Sequence, residues 1–64
     1  MKGTVKFFKD DKGFGFIQGE DQKEYFVHKN QCEDSIGKGD NVIFEVQQGK
    51  KGPIATKVTM DFNL

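Results

Sequence analysis

Phe14 and Phe16, one residue apart in Lys12-Gly13-Phe14-Gly15-Phe16-Ile17, are the side chains of this sequence best suited to holding a ligand. Successive residues of a β-strand point to opposite faces, so the two rings share one face while Gly15 and Ile17 share the other. With Ile17 in the core, two phenylalanines face water beside glycines alone, which is poor packing and a good surface for stacking planar molecules. Lys12 opens this strand and puts a cation next to the rings, where it meets a phosphate. Tyr25-Phe26-Val27-His28 repeats the arrangement: with Tyr25 and Val27 inside, Phe26 and His28 join the open face. Bases stack on aromatic rings at about 1–3 kcal/mol each and cations follow the backbone, so rings interleaved with Lys6, Lys12, His28 and Lys51 are what single-stranded nucleic acid requires.

Taken singly, a strand phenylalanine is more often core than ligand site. Here Val5, Ile17, Tyr25, Val27, Val42, Val46 and Val58 already claim the interior, and seven phenylalanines in addition would overfill a small barrel. Covalent chemistry has no visible parts. One histidine and one cysteine are too few for structural zinc, and Ser35, the only serine, has no triad-like company. Gly13, Gly15 and Gly19 are spaced G-x-G-x-x-x-G, which is not the dinucleotide fingerprint, and no helix follows them. No catalysis, metal or cofactor is expected. Cys32 reads as a small half-buried residue rather than a reactive thiol.

The elements that must position these residues are short strands. Gly3-Thr4-Val5-Lys6-Phe7-Phe8-Lys9 is a first strand in which adjacent Phe7 and Phe8 cannot share a face, so one supports the core and the other joins the open surface. Asp10-Asp11-Lys12-Gly13 is a turn, making strands one and two a hairpin. The third strand runs Lys23–His28. A polar connection follows from Lys29 to Gly39, anchored by Ile36, with a single helical turn near Glu33-Asp34-Ser35. The fourth, Asp40–Gln47, sets Val42, Phe44 and Val46 on a core face. After the basic turn Gln48–Pro53, Ile54–Thr59 is the fifth, an edge because Pro53 cannot donate to a ladder. Five short strands without helical periodicity predict an all-β fold, a small five-stranded antiparallel barrel.

Sixty-four residues make one domain, 1–64, that buries only about 60% of its unfolded surface, so the core is thin. Ten lysines balance ten acids with no arginine, so attraction to a polyanion is weak unless the lysines cluster in space. Within that balance Lys9, Lys50 and Lys57 stand behind Lys6, Lys12 and Lys51 as phosphate contacts, since Asp10 and Asp11 adjoin the first strand. No apolar run is long enough for a signal peptide or a membrane span, and a lone cysteine suits a reducing compartment. The expectation is a cytoplasmic monomer with no membrane partner.

Lys12-Gly13-Phe14-Gly15-Phe16-Ile17 and Tyr25-Phe26-Val27-His28 resemble the two ribonucleoprotein motifs of the bacterial cold-shock proteins, and Gly3-Thr4-Val5-Lys6-Phe7-Phe8 resembles that family's first strand. The likeness covers nearly the whole chain, including Gly52-Pro53 before the last strand. It implies an OB-fold that binds single-stranded RNA or DNA through Lys6, Phe7, Lys12, Phe14, Phe16, Phe26, His28 and Lys51, as an RNA chaperone or a regulator of transcription or translation. The Lys-Gly-Phe-Gly-Phe pattern also fits an RNA-recognition motif, whose two helices this chain has no room for. The chain departs from the family where Phe7 replaces a tryptophan, where Lys29 replaces an aromatic, and in the short 29–39 loop, changes that remove stacking partners from one end of the platform. The rival from another class is an SH3-type module holding a proline-rich peptide in an aromatic groove.

Overall fold

The computed structural model describes residues 1–50 and 52–62. The strands are β1 (Lys2–Lys9), β2 (Phe14–Gly19), β3 (Glu24–His28), β4 (Asn41–Gly49) and β5 (Gly52–Met60), and they close into a barrel in the order β1-β2-β3-β5-β4. This is the expected five-stranded OB-fold barrel. Most pairings are antiparallel; closure comes from a short parallel one in which Phe26 faces Ile54 and Val27 faces Ala55.

The interior follows the alternation of the sequence. Val5, Ile17, Tyr25, Val27, Ile36, Val42, Phe44, Ala55 and Val58 form the buried core, with Phe8, Cys32 and Met60 packed against it. Adjacent Phe7 and Phe8 divide as parity requires, through a bulge in β1. Val5 pairs with Ile17 and Phe7 with Phe16, leaving Lys6 unopposed. Two residues of β1 then stand against one position of β2, so Lys6 and Phe7 both face outward while Val5 and Phe8 turn in. Gly15 lies beneath them on the inner face. A Cβ there would sit 2.3 Å from the Phe7 carbonyl oxygen and 2.6 Å from Cδ2 of Phe8, so the close approach of β1 and β2 requires glycine.

Some expectations are corrected. β5 is no edge: it pairs with β4 from Gly52 to Met60 and with β3, and Pro53 sits at its start, beyond the β3 contact. Val46 is 38% exposed rather than core. β1 pairs with β4 only at Asn41–Ile43, so among the described residues Val46 has a strand partner on one side alone, in β5. Lys12 lies in the turn and β2 begins at Phe14, because Gly13 takes φ +74° and its N–H donates to the Lys9 carbonyl at 2.7 Å. The helical turn falls at Lys29–Gln31, earlier than Glu33–Ser35, since the His28 side chain caps it there. Ile36 is buried as its apolar character demands.

Candidate nucleic-acid interface

One outward face of β1, β2 and β3 gathers four phenylalanines. The registers Phe7 to Phe16 and Phe16 to Phe26 set three rings in a row across the sheet, and Phe14 stands opposite His28 one step along. The rings touch. Phe7 and Phe16 have centroids 5.4 Å apart and tilted, Phe16 and Phe26 meet edge to face at 5.8 Å, and Phe14 stacks on Phe26 at 5.8 Å with 23° between planes. The surface is therefore a ridged strip rather than a flat plate, its rings half covering one another. Phe7 and Phe26 each remain 36% exposed. Edge-to-face and offset contacts stabilise such a strip without closing it to a further planar ring.

The strip continues past Phe26 into a groove of ≈ 590 Å³, lined by Phe16, Phe26, Gly49, Lys50, Gly52, Pro53 and Ile54. The parallel contact of β3 with β5 brings the β4–β5 hairpin against the rings. Sequence reasoning missed Ile54 here and ranked Lys50 only behind Lys6, Lys12 and Lys51, because the contact depends on strands far apart in the chain. Lys51, expected at this hairpin, lies outside the described residues.

The cations are not equivalent. Lys6 Nζ is 2.8 Å from Oε2 of Glu24, so its charge is already paired, with both side chains about half exposed. Lys9, ranked behind it in sequence, places its ammonium 6.0 Å from the centre of the Phe7 ring. Lys9, Lys12 and Lys50 are exposed and form no ion pair among the described residues. His28 Nδ1 accepts a hydrogen bond from the Asn30 N–H at 3.2 Å. That bond fixes the neutral ring's proton on Nε2, which is left as an outward donor. His28 thus has both a structural role and a place in the strip. Beyond the strip, burial pushes the Cys32 thiol up from its usual value, which disfavours the reactive thiolate.

A strip of touching aromatic rings on an OB barrel, flanked by exposed lysines, is built for stacking bases. The family model described as the 'Cold-shock' DNA-binding domain matches residues 1–60. The chain belongs to the cold-shock domain family. Cold shock-like protein CspC of Escherichia coli is 45% identical over 64 aligned residues, covering 92% of this chain and 93% of its own. Cold shock protein 2 of Lactiplantibacillus plantarum is 45% identical, covering 88% and 91%. Cold shock-like protein CspLB of Listeria monocytogenes is 44% identical, covering 89% and 92%. This cold-shock domain binds nucleic acid, and its family is one of binding proteins rather than enzymes. No helix among the described residues is long and apolar enough to cross a membrane.

Proposed function

We propose that this domain binds single-stranded RNA or DNA by stacking bases on Phe7, Phe14, Phe16 and Phe26, with Lys12, His28 and Lys51 contacting the backbone and Lys6 joining them when its pair with Glu24 opens. The observation that carries this reading is the continuous contact of four rings on an outward sheet face. Bases buried in a duplex have no free face to offer such a strip, so the single strand is the ligand. The chain acts as one cytoplasmic domain, a monomer without catalytic activity. Holding strands open makes it an RNA chaperone or a regulator of transcription or translation.

The test is a titration of labelled oligothymidine, of a duplex of the same length, and of a proline-rich peptide. Binding of the single strand alone is expected. Equal affinity for duplex, or a preference for the peptide, refutes the reading.

A further inference from the structure

Lys9 stands where the rings and the free charge meet. It is the outward residue of β1 next after Phe7, with Phe8 turned inward between them. It faces Phe14 directly in the β1–β2 register. Its ammonium lies 6.0 Å from the centre of the Phe7 ring, a cation–π contact. Asp10 and Asp11 follow it in the turn, yet it forms no ion pair with either among the described residues. Lys6, the other lysine beside Phe7, is held by Glu24 at 2.8 Å. Of the two lysines flanking Phe7, only Lys9 carries an uncommitted charge.

We infer that Lys9 occupies the Phe7 ring in the free domain and turns to a phosphodiester of the single strand when a base takes its place on that ring. The inference rests on the stacking reading above. A base that stacks on the Phe7 face that Lys9 covers must displace the ammonium, because the two cannot share it. The base also brings a phosphate bearing full negative charge within reach of the lysine stem, and that phosphate attracts the ammonium more strongly than the ring quadrupole does. Lys9 thus adds to affinity through the backbone and opposes stacking when the ligand has no charge. Lys6 serves the phosphate less, because Glu24 must first release it.

The experiment compares the unmodified domain with Lys9→Gln, Lys9→Arg and Lys6→Gln, using oligothymidine and a thymine peptide nucleic acid, whose backbone is neutral. On oligothymidine, Lys9→Gln should weaken binding several-fold at low salt and reduce the slope of log affinity against log salt by about 0.7, one single-strand phosphate contact. Lys9→Arg should keep the slope, and Lys6→Gln should change it less than Lys9→Gln does. On the neutral oligomer, Lys9→Gln should bind as tightly as the unmodified domain or more tightly. An unchanged slope in Lys9→Gln, or an equal loss on both backbones, overturns the role of Lys9. Phe16→Ala in the same series separates the two levels: if it binds both oligomers as tightly as the unmodified domain, the stacking reading fails as well.

Discussion

Phe16 and Phe44 are the same residue type in two environments, and substituting each by alanine should separate recognition from stability. Phe16 sits at the centre of the strip, touching Phe7 and Phe26. Phe16→Ala should weaken oligothymidine by about 1–3 kcal/mol at modest cost in stability. Phe44 is 1% exposed, and Phe44→Ala should cost about 3–5 kcal/mol of stability. Melts and isotherms on both variants check this; severe unfolding of Phe16→Ala would return its ring to the core. A second residue-scale expectation concerns Tyr25, whose buried ring carries a hydroxyl that donates to Asp21 Oδ2. The hydrogen bond from Tyr25 holds the Asp21 carboxyl below its ordinary 3.8, and the bond to Asp21 lifts the Tyr25 hydroxyl above its ordinary 10.0. The lowered carboxylate contributes stability present above 3.8 and lost as pH falls through its folded value. The raised phenol contributes stability present below 10.0 and lost as pH rises through its own. The melting-temperature gap between the unmodified domain and Tyr25→Phe should therefore be flat at neutral pH and shrink at both extremes. A gap that does not narrow in acid would mean that Asp21 is not the partner that matters.

At the scale of the strand, the inward and outward faces were legible wherever alternation is regular. Ile17 in, Phe14 and Phe16 out, and Tyr25 and Val27 in all follow from period two alone. Bulges broke the inference. In β1 the unopposed Lys6 puts two consecutive residues outward. In β5, Lys57 takes φ +51°, and Ala55 and Thr56 are buried side by side. A bulge is set by the partner strand's register, which one strand's own sequence does not contain. The one-sided pairing that leaves Val46 exposed and the β3–β5 contact that makes Ile54 part of the groove are likewise products of pairing. Gly15 is where this pairing is most sensitive, since its missing side chain lets the Phe7 carbonyl approach. Gly15→Ala should cost at least about 1–3 kcal/mol, because the atoms in its way belong partly to backbone and cannot move aside. A thermal melt checks it. An unchanged melting temperature would mean that β1 and β2 can separate there, and that the bulge does not fix the strip.

For the whole molecule the governing quantity is charge, and ten lysines against ten acids leave no net field to draw in a polyanion. Sequence alone ranked the lysines by nearness to the aromatic motifs, but ion pairing is a property of the closed barrel. It commits Lys6 to Glu24, Lys57 to Glu45 at 3.7 Å and Lys2 to Asp61 at 4.0 Å. Among the described residues, cations near the strip that form no ion pair include Lys9 and Lys12 at the β1–β2 turn and Lys50 at the groove. If each meets one phosphate, log affinity should fall against log salt with a slope of roughly −2, from about −0.7 per single-strand contact. Stacking on the rings must then supply most of the remaining free energy, since it is largely insensitive to salt. Isotherms on one oligonucleotide over a range of potassium chloride concentrations measure the slope directly. The ring variants should lower affinity at every salt concentration and leave the slope alone, whereas the lysine variants should change it. A slope steeper than about −5 would require more phosphate contacts than these cations can make. Recognition would then be dominated by charge, and the aromatic strip would be a secondary feature of the surface.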